Sequence, residues 1–413
     1  MQLEFLGGAR EVGRAAVAVS GSGTVCLDYG MMVGEDEIGF PLPPSSAPSA
    51  LVLSHAHLDH VGAAPALYRK WNPALVCNGV TYDTTKILIE DALKIARKDM
   101  RHMPYGREEY GKMKRARVDT GFFKKAMFGR MEVTLYPAGH IPGASGVMVK
   151  SDGKCIFYSG DFKLEDMRLV KGGYVPKNVH TLIIESTYAE RDHPDRRVEE
   201  KRLLEIVDEV VANDERVIIP VFAVGRAQEI LLILEKYANK IAFDGMARKA
   251  SQIASRYGEY LADPARLQRI LSRVKWVTDE KDRRSILNRY PIIVTTAGMA
   301  SGGPISYYLS RLGKSECRIV FVGYLPHGTP ARTLLDTGVF HTDTGSFKVR
   351  CTMTQLDLSA HAGRNELFKY IEKMRPKQVF CVHGEDCVKF AKEVEERFKV
   401  GAHAPKNGEV VKV

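Results

Sequence analysis

Residues 53–63 read LSHAHLDHVGA, which places His55, His57, Asp59 and His60 within six positions. Imidazole nitrogens and carboxylate oxygens are ordinary zinc ligands, and a tetrahedral ion takes only four. His55 and His57 lie two apart, so on extended chain they point to the same side. Asp59 and His60 follow where the chain must turn into its next element, and they address a different point in space. The spacing therefore predicts two adjacent ions rather than one crowded ion. Two metals about 3.5–4 Å apart can activate water and clamp the oxygens of a phosphoryl displacement.

Such a pair needs further ligands, and other apolar runs end in suitable residues. PAGHIPGAS carries His140, KCIFYSGD reaches Asp161, and QVFCVHG reaches His383. Asp161 is the expected bridge, because each of its two oxygens can serve one ion. Asp28, at the end of TVCLDYG, is expected to fix the tautomer of a ligating imidazole. His102, His180, His193, His327, His341 and His403 have no such company and read as ordinary polar residues.

The elements that must position these residues are strands alternating with amphipathic helices. Helical periodicity is clear at 198–213, 226–238 and 365–374. That alternation predicts an α/β protein, in which chemistry gathers beyond the carboxyl ends of strands. Residues 194–350 carry strands of their own (RVIIPVF, PIIVTTAG, CRIVFVG) between two segments rich in His and Asp. The expected organisation is a first domain over 1–193, an inserted domain over 194–350, and completion of the first by 351–413. Within the insertion, TTAGMASGGP ends a strand in a glycine turn before Pro304. Amides of Ser301, Gly302 and Gly303 at a helix start suit a phosphate. Arg226, Thr329 and Arg332 are candidates for further contacts.

No run in the 413 residues approaches the roughly 20 apolar residues that span a bilayer, and MQLEFLGGAREVG lacks a leader pattern. A cytoplasmic protein without membrane contact is expected. Seven scattered cysteines without a CxxC pair predict reduced, buried thiols. The net charge of +10 fits a polyanionic partner. It concentrates in residues 91–125, where 11 Lys/Arg face 5 Asp/Glu and Tyr105, Tyr110, Phe122 and Phe123 are interleaved. That mixture suits single-stranded nucleic acid. It suits equally a solvated helical face over core aromatics.

The HxHxDH motif with distant His, Asp and His ligands resembles the metallo-β-lactamase fold. The combination of IIESTYA, PVFAVGRAQEIL, TTAGMASGGP, GYLPHGTPARTL, LSAHAGR and VHGE, running over essentially the whole chain, resembles the β-CASP nucleases. Among them it is similar to short archaeal relatives of the endonuclease subunit of the cleavage and polyadenylation specificity factor. The resemblance implies an αββα metallo-β-lactamase sandwich with an inserted β-CASP α/β domain. It assigns His55, His57 and His140 to one zinc and Asp59, His60 and His383 to the second, with Asp161 bridging. Asp59, Glu185 and His361 become the catalytic group, with His361 protonating the leaving oxygen and Glu185 holding its tautomer. A histidine at position 383 implies RNA as substrate, since the DNA-repair branch lacks it.

The implied activity is zinc-dependent hydrolysis of single-stranded RNA in 3′-end processing or decay. Endonucleolytic cleavage is favoured, with 5′→3′ exonuclease action left open. A homodimer or association with other RNA-processing subunits is the implied partnership. The other reading is a non-catalytic RNA-binding subunit, but such partners usually lose ligands that are present here. The chain departs from many relatives at Gly363, where they have Asp, and at Leu325, where Gln is common. Longer archaeal relatives add N-terminal RNA-binding modules and a dimerising tail, and the sequence shows neither pattern.

Overall fold

The computed structural model describes residues 1–33, 38–313, 317–325, 328–342 and 345–413. They form two compact units. One comprises Met1–Asp166, Val170–Asp192 and Ala360–Val413, and the other Met167–Leu169 and His193–Ser359.

The first unit is built on two seven-stranded sheets. One runs Val410–Lys412, Gln2–Gly7, Ala16–Ser20, Thr24–Leu27, Ala50–Val52, Ala74–Cys77, Arg117–Asp119. The other runs Gly401–His403, Gln378–Val382, Thr181–Glu185, Lys154–Tyr158, Ser145–Ser151, Met131–Pro137, Lys125–Phe128. Strand alternation decides which side chains meet. Val17 and Val19 join Leu3, Phe5, Val52, Val133, Val147, Ile156 and Ile183 in a core shared by both sheets. Ala16 and Ala18 face the opposite way and pack with Leu51, Leu53, Leu75, Tyr68, Ile89, Tyr110 and Met113. These last come from the helical layer, which includes Gly79–Lys98 and Arg107–Arg115. Over the second sheet, the helix Arg364–Met374 stacks Tyr370 on Phe162, and Phe368 meets Phe390 of Cys387–Phe398. The order is helix, sheet, sheet, helix, as the αββα expectation requires. Each fully buried aliphatic side chain stabilises this arrangement by roughly 1.5–3 kcal/mol.

The second unit is a six-stranded sheet, ordered Lys275–Trp276, Ile241–Asp244, Ile292–Thr295, Val217–Pro220, Arg318–Phe321, Thr352–Gln355. All its pairings are parallel. Thr352–Gln355, which the sequence placed with the returning segment, is the strand beside Arg318–Phe321. The register explains a second difference. Arg318 pairs with Thr352, so the preceding residues Cys317 and Cys351 stand side by side, and they form a disulfide with Cα atoms 4.5 Å apart. The expectation of seven reduced thiols is corrected at these two positions, while Cys26, Cys77, Cys155, Cys381 and Cys387 are free and buried.

Among the described residues, no helix is long and apolar enough to cross a membrane. The 91–125 segment resolves toward its plainer reading at two aromatics. Tyr105 and Tyr110 are buried, their hydroxyls donating to the Gly62 carbonyl at 2.6 Å and to Glu90 at 2.8 Å.

Candidate metal centre

Most of the histidines and acids picked out as ligands lie shortly past a strand of the first unit, while Asp59 and His60 sit in the helical turn Leu58–Val61. His55 follows Ala50–Val52, Asp161 follows Lys154–Tyr158, and His383 follows Gln378–Val382 directly. His140 sits in the connection from Met131–Pro137 to Ser145–Ser151. Glu185 closes Thr181–Glu185, and His361 precedes Arg364–Met374.

The HxHxDH stretch turns at His57, whose carbonyl accepts from the amides of His60 and Val61 and opens the one-turn helix Leu58–Val61. This turn is strapped to neighbouring chain. Ala15 donates to the Asp59 carbonyl, Tyr29 to that of His60 and Met31 to that of Leu58. Gly30 must lack a side chain here, since a Cβ would come within 1.7 Å of the Asp59 carbonyl oxygen.

His55, His57, His140 and Asp161 each offer a ligand atom within 4.8 Å of the others, and so do Asp59, His60 and His383. The Nδ1 of His57 lies 3.2 Å from Nε2 of His55 and 3.2 Å from Nε2 of His140. Asp161 spans both groups. Its Oδ2 is 3.4 Å from His55 Nε2 and 3.3 Å from His60 Nε2, and its Oδ1 is 3.8 Å from His383 Nε2. Asp59 Oδ2 is 3.5 Å from His383 Nε2 and 3.9 Å from His60 Nε2. The turn separates His55 and His57, grouped with His140 and Asp161, from Asp59 and His60, grouped with His383.

Hydrogen bonds behind the rings fix their tautomers. Asp28 is fully buried and holds His60 Nδ1 at 2.7 Å. A carboxylate only accepts, so Nδ1 carries the proton and Nε2 presents a lone pair. Asp28 also accepts from the Ser54 amide and hydroxyl, each at 2.7 Å, and from Tyr158 at 2.9 Å. The Ser54 hydroxyl, its proton given to Asp28, accepts from His55 Nδ1 at 3.0 Å. His140 Nδ1 donates to the Ala360 carbonyl at 2.9 Å. Three imidazoles therefore turn unprotonated Nε2 atoms into the cluster.

Electrostatics favours these neutral forms at His55 and His140 and the opposite, charged form at His60. Burial pushes His55, His57 and His140 below the usual histidine range, toward the neutral state that ligates metal. Burial opposes the charged form of Asp161 too, but the imidazoles of His60, His383 and His55 outweigh it and hold the carboxyl well below its ordinary value. His60 is raised despite burial, by Asp161, Asp59 and Asp28. Among the described residues, His57 Nε2, His60 Nε2, Asp161 Oδ1 and His383 Nδ1 are buried without a hydrogen-bond partner. Such atoms are costly unless something else satisfies them.

Beside this cluster, His361 Nδ1 lies 2.9 Å from Glu185 Oε2 and 3.9 Å from Asp161 Oδ2. Glu185 is itself fixed by the Phe162 amide at 2.7 Å and the Thr187 hydroxyl at 2.6 Å. Burial works against protonation of His361, yet Glu185 and Asp161 win and raise its pKa.

Three family models match the chain consecutively. These are the metallo-β-lactamase superfamily over residues 44–219, the β-CASP domain over 227–334, and a Zn-dependent metallo-hydrolase RNA specificity domain over 346–405. The sequence is 34% identical to a probable RNase, MJ4, of Methanocaldococcus jannaschii across 94% of both chains. It is 32% identical to RNase aCSPSF2 of Saccharolobus solfataricus, across 99% of this chain and 85% of that one. The chain belongs to the β-CASP branch of the metallo-β-lactamase superfamily. It is also 33% identical to transcription termination factor FttA of M. jannaschii, over 100% of this chain and 72% of that one. A crystal structure of a protein of unknown function from Enterococcus faecalis shares the fold, at TM-score 0.62 and 14% identity over 99% of both chains.

The phosphate-contact candidates of this β-CASP protein all lie in the second unit. Ser301, Gly302 and Gly303 are exposed, with φ of 90° and 75° at the glycines, and they lead into Pro304–Leu312. Thr329 caps Pro330–Thr337 by accepting from the Arg332 amide, and the Arg332 guanidinium grips Asp336 at 2.8 and 2.6 Å. Arg226 opens the helix Arg226–Ile233. Leu325 is buried in that unit's core.

Of the histidines read as ordinary, His193 meets Asp357 and His403 meets Glu409, while His327 lies outside the described residues. Sequence reasoning missed Ser54 and Tyr158, which hold Asp28, and the pair Lys163–Glu366. Lys163 Nζ donates to Glu366 at 2.9 Å and to the His361 carbonyl at 3.4 Å, and Glu366 also accepts from the Gly363 amide at 3.2 Å. A carboxylate thus serves the His361 loop even though position 363 is glycine. Ser54 abuts the ligand motif and was within reach of the sequence, but nothing local marks a lone lysine as buried.

Proposed function

We propose that this protein is a ribonuclease that hydrolyses phosphodiester bonds of single-stranded RNA with two zinc ions. The observation that carries the reading is the cluster of seven ligand-bearing residues with a His361–Glu185 pair at its edge. Zinc bound by nitrogen at 2.0–2.1 Å in a tetrahedron requires ligand atoms about 3.3–3.4 Å apart. Separations of 3.2, 3.2 and 3.4 Å among His57, His55, His140 and Asp161 fit that edge. His55, His57 and His140 would hold one ion, Asp59, His60 and His383 the other, and Asp161 both. Bound there, the ions supply a nucleophile at neutral pH and charge stabilisation at phosphorus.

The remaining chemistry falls to the chain. Glu185 accepts from Nδ1 of His361, which leaves Nε2 to deliver a proton to the departing oxygen. The raised pKa keeps that proton available near neutrality. Backbone amides of Ser301 and Gly303 are the better candidates for a phosphate grip, because Arg332 is held by Asp336 and the Gly302 amide donates to the Ala300 carbonyl at 3.0 Å. The matches to RNases and to an RNA specificity domain support RNA as substrate.

One RNA, labelled in turn at each end, tests this. Zinc-loaded protein should yield internal fragments, and a chelator should abolish them. Immediate mononucleotide release from the 5′ label would instead mark an exonuclease. Two equivalents of zinc with no cleavage of any RNA would favour a non-catalytic RNA-binding subunit.

A further inference from the structure

Away from the ligands, at the outer edge of the second sheet of the first unit, three aromatic rings form one cluster. Tyr136 and Tyr174 are stacked, with centroids 5.3 Å apart and planes within 17°. Phe123 stands edge-on to both, at 5.4 Å from Tyr136 and 5.5 Å from Tyr174. Phe123 is 56% exposed and Tyr174 45%, while Tyr136 is half-buried behind them. A single exposed aromatic needs no explanation, but a contiguous exposed group does.

The backbone under these rings is held in place. Phe123 has φ of +64°, a left-handed conformation that costs a bulky residue free energy and is kept only where the surroundings impose it. Its amide donates to the Leu135 carbonyl at 2.8 Å. The Tyr174 amide donates to the Pro137 carbonyl at 2.8 Å, and its carbonyl accepts from the Tyr370 hydroxyl at 3.2 Å. Exposed lysines Lys124 and Lys171 flank the group in sequence. Tyr136 belongs to the strand Met131–Pro137, near its carboxyl end, and His140 follows Tyr136 by four residues. Four residues of extended chain reach at most about 14 Å. The rings therefore lie within a short stretch of single strand from the metal cluster.

Half-exposed rings on a fixed backbone, lysines adjacent in sequence and a nearby ligand cluster are the parts of a base-stacking platform. We propose that Phe123 and Tyr174, backed by Tyr136, form a stacking subsite for one base of the RNA strand beside the scissile phosphate. The inference rests on the ribonuclease reading. It assigns the two exposed rings to substrate positioning and not to chemistry.

Phe123→Gly removes a ring at a position whose φ glycine adopts without strain, so weaker binding cannot be laid to a damaged backbone. Tyr174→Ala removes the second ring, and Tyr174→Phe keeps its face. The zinc-loaded protein is titrated with short oligoribonucleotides carrying a single 2-aminopurine at successive positions, and affinity is read by anisotropy. Phe123→Gly and Tyr174→Ala should each weaken binding roughly 5- to 100-fold. Both should abolish the quenching seen at one probe position, and Tyr174→Phe should retain both properties. Hydrolysis of bis(p-nitrophenyl) phosphate, too small to reach the rings, should be unchanged. Wild-type cleavage of RNA with unchanged affinity and quenching in both ring-deleted variants overturns this inference alone and leaves the rings to a protein partner. An equal loss on the small substrate also overturns it, by showing a structural role. Wild-type protein that neither binds nor cleaves RNA overturns the ribonuclease reading and this one with it.

Discussion

Two buried carboxylates, Asp28 and Glu185, each grip an imidazole Nδ1, at 2.7 and 2.9 Å, yet they should fail in different ways when altered. Asp28 faces His60, one of the clustered ligand candidates, and it also ties down Ser54, which in turn orients His55. Asp28→Asn would put an amide nitrogen where an oxygen now accepts, from one donor at Oδ1 or from three at Oδ2, and it should loosen metal binding by about 10- to 100-fold. Cleavage lost at limiting zinc should then return in excess zinc. Glu185 faces His361, which belongs to the proton-transfer pair. His361→Ala should lower single-turnover cleavage by about 10²- to 10⁴-fold while leaving metal content as it was. Metal analysis beside single-turnover rates separates the two cases. Full activity in His361→Ala would remove that residue from the chemistry, and an unchanged zinc affinity in Asp28→Asn would reduce Asp28 to a packing role.

At the scale of strands and helices, a disulfide joins neighbouring parallel strands of the second unit across 34 residues of sequence. Closing a loop of that length in the unfolded chain is worth about 3–4 kcal/mol by the chain-entropy account. Denatured, unreduced protein should react with a thiol reagent at five cysteines and at seven after reduction. Cys351→Ser should destabilise by about 2–4 kcal/mol in denaturant titration. Seven reactive thiols before reduction would overturn the pairing. This bond also shows where sequence reading stops. The site was legible because His55, Asp161 and His383 each follow an apolar run, and in an α/β fold the ends of such runs converge. Cys317 and Cys351 sit in front of strands, and their meeting depends on the register Arg318 to Thr352, which no local pattern encodes. The 91–125 segment was ambiguous for a related reason. Composition could not tell that Tyr105 and Tyr110 turn inward, whereas Phe123 stands exposed. The Lys163–Glu366 pair was hidden because its members come from segments about 200 positions apart in sequence.

At the scale of the whole molecule, a net charge of +10 gives the protein a cationic field that draws in any polyanion. Charge and stacking leave different marks on binding. Cation–phosphate contacts release counterions, so the logarithm of RNA affinity falls linearly with the logarithm of salt, by about 0.7 per phosphate neutralised on a single strand. Stacking on Phe123 and Tyr174 releases no counterions. Lys124→Ala should therefore flatten the salt slope by about 0.7 if that exposed lysine meets a phosphate. Phe123→Gly should instead displace the whole line to weaker affinity at unchanged slope. Arg332 makes a third case, because Asp336 already neutralises its guanidinium. Removing Arg332 would also free an acid, so Arg332→Ala should weaken binding at low salt by more than its own contact is worth. The double change Arg332→Ala with Asp336→Ala should restore most of that loss. A salt series on these four variants and the wild type reads all three outcomes. Parallel lines for Lys124→Ala and Phe123→Gly would mean that the two residues act alike, and would refute the division between charge and ring.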